Sequence, residues 1–293
     1  MEAGHLPGAY LAPQSDRVRE ELEAQVMVSA VGDMLPREGG GRVLDMGCGA
    51  GLGPLLAEVG MGHYTGVDFR TPGFALPGPH VLHDLRDGLG PVGNEPFDVY
   101  VAGFGLASHL APGQLRRLVG EIACHARSGS FVAIEALGVH SLEWPRLWDT
   151  VPGAERTLAY ALDHDVEVHP WGPDELLGLL EAAGIHPLRA VDRSLQAGPK
   201  LGEGRYWPGL PSLRPALIEL LEGRAATPPL SAPLPPLPAG RAAAVHQRLA
   251  ARRRSLTESH AGSPMELAEQ IWALERGSGG GFGHGLLALG RVT

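Results

Sequence analysis

The twelve residues from Arg42 to Gly53, RVLDMGCGAGLG, constrain this chain more than any other stretch. Arg42, Val43, Leu44 and Met46 form a short, mainly apolar run of the kind found in central parallel strands. Asp45 interrupts it, and a carboxylate there is costly to bury without a partner. Gly47, Gly49 and Gly51 follow at alternate positions. Glycine accepts left-handed backbone angles and lets a ligand approach the main chain closely. Leu52 to Val59 reads as helical, so its first N–H groups point back at the turn. Strand, glycine turn and helix in this order predict an α/β fold with a ligand crevice at the turn.

The ligand class follows from the spacing. A dinucleotide fingerprint needs G-x-G-x-x-G with a small third residue. Counting from Gly47, that third position is Leu52; counting from Gly49, it is Pro54. The pattern is instead D-x-G-x-G-x-G. A carboxylate ahead of the first glycine repels a pyrophosphate and suits a ligand with a free amino group. Here the chain resembles the class I S-adenosylmethionine (SAM)-dependent methyltransferases, whose first motif is an acidic residue followed by G-x-G-x-G. The resemblance implies a Rossmann-like, seven-stranded, mostly parallel sheet with helices on both faces and a last strand entering antiparallel at the sheet edge. It implies SAM as cofactor, held at Asp45, Gly47, Cys48, Gly49 and Gly51.

Further residues extend the match. His63 to Val67 reads as the second strand and ends in Asp68, where nucleotide-type folds place a ribose-binding carboxylate. Phe69 follows it. Residues 69–79, FRTPGFALPGP, hold too much Pro and Gly for a crossover helix, which departs from the family pattern. Val81-Leu82 reads as a third strand, and the resemblance assigns Asp84 and Leu85 to the adenine, with Asp87 as a rival to Asp84. Phe97 to Ala102, FDVYVA, reads as the fourth strand and is followed by Gly103, also expected to bind the cofactor, and Phe104. No Asn/Asp-Pro-Pro-aromatic turn stands there, nor an aspartate for Mg²⁺. This opposes the nucleic-acid amino-methyltransferases and the metal-dependent catechol type, and no metal is expected. Leu106 to Leu110, with His109, resembles a segment of small-molecule methyltransferases.

Gly113 to Ala126 shows an amphipathic helix, with Leu115, Leu118, Val119 and Ile122 as its core stripe. Ser130 to Leu137 reads as the fifth strand. Residues 138–171 hold Trp144, Trp148, Tyr160, His164, His169 and Trp171, three of the five tryptophans among them. Ligands in open α/β sheets bind beyond the carboxyl ends of the strands. Trp144, Trp148, Tyr160, His164 and Phe104 are therefore expected to line the acceptor pocket, unless these aromatics simply pack a lid. Pro173 opens a helix closed by Gly184, and Ile185 to Val191 reads as the sixth strand. A general base for a hydroxyl acceptor is sought among His109 and His169, with Glu135, His140 and His164 behind them.

The core is expected over about residues 15–194 and 282–293 of a single domain. Between them lie residues 195–281, with the proline-rich TPPLSAPLPPLPAG (227–240), a stiff connector, and three helices. The last, opened by the capping box Ser263-x-x-Glu266, is followed by a final strand from Gly285 to Val292. The insertion reads as a cap or a homodimer arm. Arg252, Arg253 and Arg254 suit the C-terminal end of their helix electrostatically.

A net charge of −9 opposes nucleic-acid binding through phosphates. Two cysteines, Cys48 and Cys124, read as reduced thiols. With no run resembling a signal peptide or a membrane span, a cytoplasmic protein acting on a small molecule is expected. Three functions compete: methyl transfer to oxygen or nitrogen of a small, partly apolar metabolite; SAM binding for interaction or regulation without transfer; and nicotinamide-dependent oxidoreduction. Asp45 and the glycine spacing oppose the third.

Overall fold

In a computed structural model, the structure describes residues 17–36, 40–151, 156–161, 165–197, 213–224, 228–277 and 280–293. Seven strands form one sheet: β1 (Arg42–Met46), β2 (His63–Asp68), β3 (His80–Leu82), β4 (Val99–Ala102), β5 (Phe131–Leu137), β8 (Ile185–Ser194) and β9 (Gly285–Val292). Their order is β3-β2-β1-β4-β5-β9-β8. β9 runs antiparallel to both β5 and β8, and the remaining neighbours pair in parallel. This is the Rossmann-like sheet expected from the sequence, with one refinement. β9 is not the edge; β8 lies outside it. β8 also continues past Val191 to Ser194.

Alternate residues of each strand serve opposite faces, as the pleat requires. Leu44, Met46, Tyr100, Val132, Ile134 and Leu286 pack on one side, against helices α3 (Pro112–His125) and α4 (Pro173–Ala182). Val43, Val99, Val101, Ala133 and Leu287 pack on the other, against α1 (Ala24–Met34) and Trp272. Residues 69–79 carry no helix, as their Pro and Gly content implies. The helix after the glycine turn, α2 (Gly53–Leu56), is only four residues and passes into a 3₁₀ turn at Ala57–Val59.

Local structure adds to the sequence reading at three places. The sequence also predicts a helix capped at Ser15 or Asp16 and running to about Leu35; the cap lies outside the described residues, and Val18–Glu23 winds as a wider π-helical segment before α1. Residues 138–171 contain a hairpin of β6 (Leu158–Ala161) and β7 (Asp165–Val168) that no sequence signal announced. Arg253 does not serve the end of its helix, α6 (Arg241–Ser259). Only 1% exposed, it donates to the Leu230 carbonyl and to Gln196.

The described parts of 195–281 turn their apolar residues onto the chain itself. α5 (Arg214–Leu221) and α7 (Pro264–Gly277) enclose Val18 with Leu217, Leu220, Leu267 and Ile271. α6 buries Ala242, Val245 and Leu249 against Leu142, Trp148 and Phe282. Tyr206-Trp207-Pro208 lies outside the described residues. No helix among the described residues is long and apolar enough to cross a membrane.

Candidate active site

The carboxyl ends of β1, β2 and β4 meet at the glycine turn. Gly47 (φ 74°) and Gly51 (φ 90°) both take left-handed angles, which β-carbons disfavour. The Gly47 N–H donates to the Val67 carbonyl at 2.8 Å, tying the turn to β2. Asp68 accepts from the Gly49 N–H and from the Arg70 N–H, each at 3.0 Å. A β-carbon on Gly49 would lie 2.9 Å from the Asp68 carboxylate, whereas one on Gly51 would meet no heavy atom within 4 Å. The turn is thus closed against β2 and open on its outer side.

Asp45 is buried beneath this turn, 1% exposed, and accepts from the Tyr64 hydroxyl at 2.8 Å. Burial pushes its carboxyl up to about 7; the Tyr64 hydrogen bond opposes this and the charge of Asp68 adds to it. The Cys48 thiol is turned inward and fully buried, and burial pushes its pKa up. Only the main chain of Cys48 can meet a ligand in the crevice. Phe69 and Leu82, at the ends of β2 and β3, are unusual among large apolar side chains in being mostly exposed, at 53% and 66%. Asp84 caps a 3₁₀ turn, accepting from the Arg86 N–H at 2.9 Å, and pairs with the Arg86 guanidinium at 2.6 Å. The Arg86 hydrogen bond holds its carboxyl below the usual range. Leu85 is packed into the core. Gly103 lies at the end of β4, where a β-carbon would crowd Leu52 at 3.3 Å.

Phe104 follows with φ 52°, the one positive φ outside glycine among the described residues. Such a backbone costs about 1–3 kcal/mol and persists where its surroundings impose it. Here the Phe104 N–H donates to Glu135 Oε2 at 2.9 Å. Two guanidinium groups lie over the Phe104 ring, Arg19 at 4.4 Å and Arg193 at 5.7 Å from its centroid. Arg19 also donates to the Ala50 carbonyl of the glycine turn.

Behind Phe104 lies a buried charge network. Arg193 on β8 meets Glu135 on β5 and Glu23 before α1, each at 2.5 Å; Arg214 on α5 meets Glu23 at 2.7 Å. All four side chains are at most 7% exposed. Burial alone would raise the Glu23 carboxyl, but Arg193 and Arg214 outweigh it and hold it at about 2. Burial disfavours charge on Arg193, yet Glu135 and Glu23 raise its pKa. Next to this network, Glu143 bonds to His284 Nδ1, and His284 Nε2 faces the Tyr160 hydroxyl at 3.3 Å.

The other sequence candidates are dispersed. Trp144 is 1% exposed, with its indole N–H on the Gly138 carbonyl at 2.9 Å, so it packs the segment after β5 instead of lining an open pocket. Trp148 stacks on His246 and borders a cavity of about 530 Å³, with His140, Arg156, Arg241 and Phe282. That cavity shares no lining residue with the glycine turn. His109 follows Phe104 on the turn Leu106–His109, and burial lowers its pKa. His169 has a buried Nδ1 without a partner, and its main-chain N–H donates to the Ser108 carbonyl. His164 lies outside the described residues.

Sequence reading passed over Glu23, Arg193, Glu143 and His284. They come from segments far apart; Glu143 and His284 are separated by 141 positions, and no local spacing joins them. A carboxylate inside an apolar run, as at Glu135 in FVAIEAL, was the one local signal.

No protein-family model and no curated protein matches the chain. Among solved structures it is similar to the 1,6-didemethyltoxoflavin-N1-methyltransferase of Burkholderia thailandensis with bound S-adenosylhomocysteine: 17% identity over 61% of this chain and 72% of that one, TM-score 0.42. It is similar to the sugar N-methyltransferase KedS8 of Streptoalloteichus: 19% identity, 64% and 89% covered, TM-score 0.45. A chain from a Haloferax volcanii complex with the Trm112 methyltransferase activator shares 14% identity, with 94% and 92% covered and a TM-score of 0.47.

Proposed function

We propose that this chain binds SAM at the glycine turn and transfers its methyl group to oxygen or nitrogen of a small, partly apolar metabolite. One observation carries the reading: a doubly left-handed glycine turn, open outward, lies between the buried Asp45 and the Asp68 that closes β2. This donor set fits SAM. Each Asp68 oxygen accepts one main-chain N–H and keeps a second lone pair for a ribose hydroxyl. Phe69 and Leu82 offer the apolar surface an adenine ring needs, beside the main chain of Leu85. Asp45, an acid poised near 7, gains a stabilised charge when an ammonium group approaches. When bound, SAM supplies a methyl already activated on a sulfonium. The chain then has to align acceptor, methyl and sulfur and to exclude water. Gly103 and the strained Phe104 stand at the end of β4, where the aligned acceptor meets the cofactor.

Calorimetry tests this directly. SAM and S-adenosylhomocysteine should each bind with one-to-one stoichiometry, and NAD should give no heat. Heat with NAD and none with SAM would reverse the reading.

A further inference from the structure

We propose that binding of the amino-acid end of SAM at the glycine turn expels one proton from Asp45, and that the Tyr64 hydroxyl is the positioning group that tunes this exchange. This rests on the SAM-binding reading above and gives a role to a residue outside the glycine motif.

Tyr64 lies on β2, paired with β1, and is 4% exposed. It belongs to an apolar cluster with Val43, Leu52, Leu56 and Val99, where a valine or isoleucine would serve packing as well. A buried hydroxyl is costly without a partner, and this one donates to Asp45 Oδ2 at 2.8 Å. Glycines make room for it. A β-carbon on Gly53, at the start of α2, would lie 2.5 Å from the Tyr64 hydroxyl. One on Gly66 would lie 3.1 Å from that hydroxyl and 2.8 Å from Cys48 Sγ. Residues of β1, β2 and α2 thus set the hydroxyl beneath the turn. Burial, with the Asp45 charge beside it, pushes the Tyr64 pKa up, so the phenol keeps its proton and acts as a donor.

Among the described residues Asp45 has no other hydrogen-bond partner, and no cation pairs with it. The titratable groups facing it are Tyr64 and Asp68 on β2 and Cys48 on the turn. Val101 stands beside it on β4, and the buried residues of α1 and α2 are apolar. One neutral donor and a second carboxylate leave a buried charge uncompensated. Below neutral pH the ligand-free chain therefore keeps Asp45 as the acid, in line with a carboxyl raised to about 7. An opposite charge within about 4–6 Å favours the ionised form. Gly47 follows Asp45 by two positions, so an ammonium lying against the turn acts from outside and need not enter the core.

In the exchange, the Asp45 O–H bond breaks, its electron pair stays on the carboxylate, and the proton passes to solvent. The ammonium keeps its three protons. An ion pair held by Tyr64 replaces a neutral acid. Affinity for a ligand with this ammonium therefore falls as pH drops below 7. Without the Tyr64 hydroxyl the carboxylate loses its donor and the proton is held more tightly.

The experiment titrates the full chain with two probes. S-adenosylhomocysteine carries the ammonium, and 5′-methylthioadenosine lacks the amino-acid end. Calorimetry in buffers of different ionisation heat counts the protons released. S-adenosylhomocysteine should release about half a proton at pH 7 and nearly one at pH 6, and 5′-methylthioadenosine none. From pH 7 to pH 5.5 the first should weaken about 15-fold and the second should hold its affinity. Tyr64→Phe keeps the ring and removes the hydroxyl. It should weaken S-adenosylhomocysteine about 5- to 50-fold at pH 7, raise its proton release toward one, and leave 5′-methylthioadenosine within about twofold. Asp45→Asn should abolish the release and flatten the pH profile. No proton released from the wild-type chain, equal release with 5′-methylthioadenosine, or an unchanged proton count in a folded Tyr64→Phe chain would overturn the proposal. The wild-type count needs no variant, so it decides the matter even should Tyr64→Phe fail to fold. Binding of neither probe would instead remove the SAM reading, and this proposal with it.

Discussion

Glu23 offers the sharpest test of what holds the top of the sheet together. It lies before α1 and receives Arg193 from β8 and Arg214 from α5, at 1% exposure. Its carboxyl titrates at about 2 in the folded chain, against 4.5 as the ordinary value. Each pKa unit is about 1.4 kcal/mol, so ionised Glu23 contributes about 3 kcal/mol to stability. Because the folded value is depressed, that contribution is complete above pH 4.5 and is lost as pH falls toward 2. Glu23→Gln keeps the shape but removes the charge, leaving two buried guanidinium groups short of an anion; breaking such a pair costs about 3–5 kcal/mol. For a chain of this size roughly 2 °C accompanies each kcal/mol, so Tm should fall by about 6 °C or more at pH 7. The gap between wild type and variant should close between pH 4.5 and 2. Differential scanning calorimetry at pH 3, 5 and 7 measures it. A gap under 1 °C at pH 7, or one equally wide at pH 3, would refute the reasoning.

Asp45 acts with the opposite sign. Its folded value is raised to about 7 against 3.8, so the folded chain keeps a proton that the unfolded chain loses, and stability falls by up to about 4 kcal/mol as pH rises from 4 to 7. Asp45→Asn should abolish that slope, seen as a urea midpoint that gains on wild type between pH 5 and pH 8; parallel curves would contradict it. Gly49→Val places a β-carbon 2.9 Å from the Asp68 carboxylate and should weaken SAM at least tenfold by calorimetry. Unchanged affinity would mean that the turn does not hold the cofactor. Trp144→Ala should cost about 3–5 kcal/mol in urea unfolding with the SAM Kd within twofold, since the ring packs the segment after β5 and does not face the crevice. A large loss of SAM affinity in a chain of native stability would restore a pocket role to Trp144.

The strands were legible because their signals are local. Alternation and apolar runs show in five or six residues, and Gly47, Gly49 and Gly51 mark a turn whatever surrounds them. The amphipathic stripe of Leu115, Leu118, Val119 and Ile122 marked a helix for the same reason. The β6–β7 hairpin escaped because LAYA and DVEV carry no turn signature that outweighs their polar neighbours. The reading of Arg253 failed for another cause. A run of three arginines looks like a solvated helix end until the Leu230 carbonyl and Gln196 are known to face one of them.

The residues alone determined a parallel α/β sheet organised on one glycine turn with carboxylates closing its strands, since backbone freedom and side-chain periodicity are written position by position. Tertiary structure alone decided that Glu23, Glu135, Arg193 and Arg214 share one buried network and that Glu143 holds His284 toward Tyr160. Electrostatic partners are chosen by distance in space, and residues brought from four separate segments leave no trace of that distance in their order along the chain.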